Sequence, residues 1–347
     1  MIAGDTLAGV LVNDTTMRVE VPVLDAGEYP VRLLGTGFGK VIAEVVVHGL
    51  IDVRPAPRID RYPMLWPSPS LNPTLLANQD DHLAFIDLRT GLSVAFPDSV
   101  HSPLCVDGPG PTYDASRILL ARKTSPGGCH RFDAWTLSPD LKLTRVDTAV
   151  VYGTLAAQIS RSVTMGLDAH DLWTTGGTGT FRGRYEDTRG FRLCPRGNIA
   201  TIVMAYTISG GLPFFDGTTG LLRFEAPQIV TGNGAAFTPA RDTVYVAGQD
   251  NSASTRFIIG ITTADGRQFA VDTIPEYPTD LALDPSGRWL FVLTADVILV
   301  IDRPTLKPVG RMSNPILGYF PLALSGAYQE LYAVDWAHVA RFDIAMP

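Results

Sequence analysis

The stretch from Tyr277 to Met312 constrains the fold more than any other part of the chain. Three apolar runs, Leu281–Leu283, Trp289–Leu293 and Ile298–Ile301, are separated by turn formers at Asp284–Gly287 and Ala295–Asp296, and a weaker run follows at Pro308–Met312. Runs this short, rich in Leu, β-branched and aromatic residues and bounded by Pro, Gly and Asp, read as strands and not as a helix. Four antiparallel strands in roughly 40 residues make a small sheet that cannot bury both its faces by itself. The rest of the chain is therefore expected to supply more copies.

The copies recur at a regular period. The landmark is the third strand of each unit with the turn that ends it: Leu83–Gly91, Phe132–Asp140, Leu172–Gly179, Leu212–Gly220, Phe257–Gly266, Ile298–Leu306 and finally Val339–Ile344. Their closing turns lie about 40 residues apart, the mark of a radial β repeat. The expected fold is all-β, a seven-bladed β-propeller over residues 50–347 preceded by a small β module over residues 1–49. The last unit stops after its third strand at Ile344. A propeller removes such an exposed edge by borrowing a strand from the other end of the chain, and Leu50–Arg54 is the candidate.

Composition narrows the function. The 347 residues are 46% hydrophobic, enough for a sizeable core, and the 33 Gly and 26 Pro suit many tight turns. Charged residues make up 18%, with a net charge of −7. Arg182, Arg184 and Arg189 form the densest basic patch, but Glu186 and Asp187 interrupt it, which excludes a row of phosphates as partner. Val41–Val47, the longest apolar run, is broken by Glu44, so no transmembrane helix is expected. Met1–Asp5 lacks the basic start and apolar run of a signal peptide.

Two family resemblances add to this reading. Val12–Pro22 followed by Ala26–Leu33 resembles the second half of an immunoglobulin-like IPT/TIG domain over Gly4–Val47. The first strands of such a domain are absent, which implies either a chain that begins late or a reduced β cap; the late start is the expectation. The units at Ala235–Ala247, Pro278–Leu293 and Pro321–Val334 follow one plan and resemble the YVTN-type repeats of bacterial seven-bladed propellers. That family holds binding modules, surface proteins and a few lactonase-like or dehydrogenase-like enzymes, so the resemblance implies a fold far more than a reaction.

In a blade, the second-to-third-strand hairpins and the blade-to-blade connections share one face, here called top. The longer loops, Lys123–Arg131, Gln249–Thr255 and Ala169–Asp171, fall there, and function concentrates on loops held by a rigid scaffold. Five of the six histidines are assigned to it, His82, His101, His130, His170 and His338, together with Asp80, Asp81, Asp168, Asp171, Asp250, Asp296 and Asp335. The candidate ligand-binding set is Asp81, His82, His101, His130, Asp168, His170, Asp171, Asp250 and Asp335. Asp168–Asp171 is its densest piece. Such a set could bind a divalent metal at the channel mouth, but polar residues fill hairpin turns everywhere, and no His-x-His or His-Glu-x-x-His spacing is present.

Other motifs are structural. Gly176–Gly179 aligns with the turns Asp87–Gly91 and Asp216–Gly220, so it reads as a strand turn and not a phosphate loop. Asp87, Asp216, Asp302 and Asp343 recur at one position, which points to hydrogen bonds with turn amides. Trp135, Trp173, Trp289 and Trp336 recur on or beside strands and suit packing between blades. Cys105 and Cys129 both fall on the top side of the second unit and are expected to form a disulfide, leaving Cys194 free; that bridge would mark an oxidising compartment.

The expected function is a non-enzymatic, extracytoplasmic (periplasmic or cell-surface) protein that binds a protein or small-molecule ligand on its top face and needs no cofactor. The alternative is a propeller hydrolase or lactonase with one divalent metal at the channel mouth. Three reduced thiols would instead fit a cytoplasmic scaffold.

Overall fold

A computed structural model describes residues 9–13, 16–19, 27–32, 41–47, 50–55, 64–66, 73–79, 82–95, 110–111, 117–122, 131–137, 143–150, 155–158, 164–168, 171–174, 180–186, 190–193, 199–203, 205–207, 212–226, 231–250, 255–316, 322–325 and 329–344. Every regular element among them is a strand. Near the N-terminus, β1 (Gly9–Asn13) pairs with β2 (Thr16–Val19), and β3 (Gly27–Arg32) with β4 (Val41–Val47). β5 (Leu50–Pro55) follows.

The next strands form a succession of antiparallel sheets. β6 (Met64–Trp66), β7 (Thr74–Gln79), β8 (His82–Asp87) and β9 (Ser93–Ala95) make one four-stranded sheet. β10 (Gly110–Pro111), β11 (Ile118–Arg122), β12 (Arg131–Leu137) and β13 (Leu143–Val150) make another. Then come β14 (Leu155–Gln158), β15 (Thr164–Asp168), β16 (Asp171–Thr174) and β17 (Thr180–Glu186), each paired to the next. β18 (Gly190–Leu193), β19 (Ile199–Val203), β21 (Leu212–Asp216) and β22 (Leu222–Ala226) form a four-stranded sheet that skips β20 (Ala205–Thr207). β20 pairs instead with β17 on one side and β23 (Thr231–Phe237) on the other.

β23 continues into β24 (Thr243–Gln249), β25 (Arg256–Thr262) and β26 (Gln268–Thr273), so that β14–β17, β20 and β23–β26 are hydrogen-bonded into one nine-stranded sheet. β27 (Pro278–Leu283), β28 (Trp289–Thr294), β29 (Val297–Asp302) and β30 (Lys307–Ser313) form a four-stranded sheet over the stretch from Tyr277 to Met312. The last strands are β31 (Ala323–Ser325), β32 (Glu330–Val334) and β33 (His338–Asp343). The fourth strand of their sheet is β5: His338 faces Pro55, Val339 faces Arg54 and Arg341 faces Asp52 in an antiparallel ladder. The end of the chain is thus covered by a strand from near its beginning, which leaves β33 without a bare edge.

The core lies between sheets. Successive side chains of a strand point to opposite faces, and the middle strands bury both. In β24, Val244 and Val246 pack against Leu212, Phe214 and Ala226. Tyr245 and Ala247, the alternate residues, pack against Leu281, Leu290 and Leu299 of the following sheet. The β27–β30 sheet turns Phe291, Leu293 and Val300 toward Leu331, Ala340 and Phe342. The β31–β33 sheet in turn lays Tyr332, Val334 and Val339 on Leu75, Ala77 and Ile86 of the first four-stranded sheet. Face-to-face packing therefore runs from the end of the chain back to its start, as a ring requires.

Neighbouring inner strands approach closely. At Gly234 a Cβ would stand 2.5 Å from the Leu281 amide nitrogen, so the bare glycine lets β27 pass beside β23.

Candidate functional site

The hairpins that join second to third strands hold most of the described site residues. His82 opens β8 and faces Gln79 across the β7–β8 hairpin. Asp168 and Asp171 are register partners at the end of the β15–β16 ladder, so the topology brings these two together. Asp250 follows β24, and Asp335 and His338 bracket the β32–β33 turn. Asp296 lies in the corresponding turn between β28 and β29. These residues occupy equivalent hairpins of different sheets. Asp80, Asp81, His101, His130, His170, the three cysteines and Gly176–Gly179 lie outside the described residues.

Two of the carboxylates hold their own loops. Asp335 Oδ1 accepts the amides of Ala337 at 2.7 Å and His338 at 2.6 Å, and its amide donates to the His338 carbonyl at 3.0 Å. The His338 ring Nδ1 lies 3.2 Å from both carboxylate oxygens. This compact Asx turn fixes a short loop whose tip is Trp336, 46% exposed. Trp289 packs on the core beside Phe291 and carries Arg288 at 4.7 Å over its ring. Asp250 Oδ1 accepts the Thr255 amide at 3.3 Å, and its own amide donates to the Thr255 carbonyl at 3.0 Å. Among the described residues no group of three or more His, Cys, Asp or Glu is placed to hold a metal ion.

The opposite ends of the sheets carry turns of the kind their spacing suggests. Asp87 Oδ1 accepts the amides of Arg89 and Thr90 at 2.8 and 2.9 Å, and Asp216 Oδ1 accepts those of Thr218 and Thr219, both at 2.9 Å. Asp302 instead takes the Thr305 hydroxyl at 2.8 Å. Burial works against the Asp216 anion, but the amides of Thr219 and Thr218 outweigh it and hold the carboxyl below its ordinary range. Gly91 and Gly220 close the Asp87 and Asp216 turns at φ of 74° and 67°, and Gly266 closes a like turn from Thr262 at 74°.

Two buried polar side chains near the inner strands escaped sequence reasoning. Asn233, 2% exposed, donates from Nδ2 to the Pro278 carbonyl at 2.6 Å and accepts the Tyr277 hydroxyl at 3.4 Å. Asp280, 3% exposed, accepts the Leu322 amide at 2.7 Å. Each side chain reaches from one sheet to the chain leading into the next; Asn233 is itself the extra residue of a bulge between Gly232 and Gly234, and Asp280 directly follows the irregularity after Pro278. A bulge turns a side chain out of the regular alternation. The one available signal was a polar residue interrupting a strand pattern. β20 carried no signal of its own, because Ala205–Thr207 follows directly on the largely apolar run Ile199–Met204 and three residues show no measurable period.

The architecture is that of a β-propeller, WD40-like in its strand arrangement. No protein-family profile matches the chain, and no curated protein does. Among solved structures it is similar to a chain of the Mitotic Checkpoint Complex, with a TM-score of 0.61 at 13% identity over 94% of this chain and 98% of that one. It is also similar to the Cps50 (Swd1) beta-propeller domain of Myceliophteria thermophila, with a TM-score of 0.58 at 11% identity over 85% of this chain and 100% of the other. A third likeness is to a chain of Kuenenia stuttgartiensis hydrazine synthase, with a TM-score of 0.54 at 14% identity over 78% and 93%. Identities this low show a shared fold, and a fold this widely used carries no activity with it. No helix among the described residues is long and apolar enough to cross a membrane.

Proposed function

We propose that the chain is a non-enzymatic interaction scaffold that binds a partner, protein before small molecule, on its top-face hairpins. The observation that supports it is the Asp335 turn: a carboxylate occupied by local amides holds an exposed Trp in one place. Asp250 likewise joins the two ends of its hairpin by bonding Thr255. A rigid loop bearing an exposed aromatic suits binding, since large rigid side chains give contact area at little entropic cost.

The finer reading has seven blades, with β14–β17 and β23–β26 counted as separate blades bridged by β20. Repeats of the YVTN type, an IPT/TIG-like module before residue 50, a Cys105–Cys129 disulfide and an extracytoplasmic location complete it, with no resident cofactor.

The test is affinity capture followed by identification of the bound partner, run with the wild-type chain, with Trp336→Asp and with Leu92→Asp in the exposed β8–β9 turn. A partner held by the wild type and by the Leu92 variant but lost by the Trp336 variant is the expected result. Equal recovery by all three, or one divalent ion per purified chain, overturns the reading and turns attention to the hydrolase alternative.

A further inference from the structure

The strand that completes the last sheet is held unlike the strands of the core. Along β5 the side chains alternate: Ile51 and Val53 are exposed at 45% and 40%, while Asp52 and Arg54 face the first four-stranded sheet. Neither Ile51 nor Val53 belongs to the buried apolar clusters of the described residues. What meets them is charge. Asp52 Oδ2 takes Arg54 Nη2 at 2.8 Å and Arg341 Nη2 at 3.1 Å. Arg341 Nη1 reaches Glu330 Oε1 at 3.4 Å, and Arg89 Nε lies 3.8 Å from Glu330 Oε2. Arg54 donates to the Arg89 carbonyl, and the Tyr332 hydroxyl donates to Glu330. Three elements remote in sequence, β5, the turn after β8, and the β32–β33 pair, are tied together by these groups.

We infer that this network is an ionic latch, which keeps β5 on β33 and whose screening frees β5 while the other sheets stay folded. Isolated surface ion pairs hold little, but here each carboxylate serves two guanidinium groups, and linked pairs act together. The network is also open to salt. Its side chains range from 11% exposed at Glu330 to 39% at Arg89, and charges that see solvent are screened as the Debye length shrinks. The sheets of the core rest on buried apolar side chains such as Phe291 and Leu293, which salt does not weaken. Release would expose the backbone groups of β33, an open edge able to accept an extended strand.

The test is amide hydrogen exchange at neutral pH as salt rises from about 0.01 M to about 1 M, where the Debye length falls from about 30 Å to about 3 Å. In the wild type, β5 and β33 should lose protection about tenfold while β28 and β29 hold theirs, since local openings report separately from global unfolding. Asp52→Asn, which keeps the shape and removes the charge, should show the weakened protection at low salt and little further response. Protection of β5 that ignores salt in the wild type, or that falls only in step with β28 and β29, overturns the latch. The wild-type series decides the matter even if the variant does not fold.

Discussion

At the scale of single residues, backbone proximity and local hydrogen bonds set what can be changed. Gly234 has no room for a side chain, because its nearest neighbours are the Leu281 nitrogen and the Asp280 backbone at 2.5 to 2.8 Å from a Cβ and cannot rotate away. Gly234→Ala should cost about 2 kcal/mol or more, read as a lower denaturant midpoint, since forced shifts in a packed region cost about 1–3 kcal/mol. Thr238 offers a test in pH. Its hydroxyl donates to Asp242 at 2.8 Å and is the main reason the Asp242 carboxyl lies below its usual range. A carboxyl whose folded value is depressed stabilises above its unfolded value, about 3.9, and loses that stabilisation as pH falls through the folded value. Thr238→Val should therefore be less stable than wild type at neutral pH. The gap should narrow below about pH 4, and a gap independent of pH would show that the hydroxyl acts on its backbone partners alone.

At the scale of elements, the sheet that closes the chain is the informative one. The ladder between β33 and β5 is made by residues from opposite ends of the sequence. A chain starting at Leu50 should keep the thermal midpoint of the full-length protein. One starting after Pro55 should lose about 3 kcal/mol or more, from several backbone hydrogen bonds at about 1 kcal/mol each together with the ion network. Equal stability of the two truncations, measured by denaturant unfolding, would show that β5 adds nothing to the fold. How far elements were legible differed along the chain. The strands of 277–312 could be read from their apolar runs and the Asp284 and Asp302 turns. β20 could not, because it is specified by its two partners and by nothing in its own three residues. Trp336 shares its spacing with the other tryptophans, but the tight turn held by Asp335 leaves it 46% exposed.

At the scale of the whole molecule, the proposed compartment rests on Cys105 and Cys129. Unfolding the protein without reductant should expose one thiol, that of Cys194, and the bridge should contribute about 3 kcal/mol, lost on reduction. Three free thiols would move the protein to a reducing compartment and leave the scaffold reading otherwise intact. What the sequence determined by itself was periodic: strand existence, the roughly 40-residue repeat, the turns that punctuate it, and an edge left over at Ile344. These are local properties, set by backbone preferences and by alternation along one strand. Tertiary structure alone decided that Asn233 and Asp280 reach from one sheet to the next, that β20 spans its neighbours, and that five charges from three distant segments meet around Asp52 and Glu330. Those arrangements depend on which strands lie side by side in space, and no pattern along a single segment encodes its neighbours.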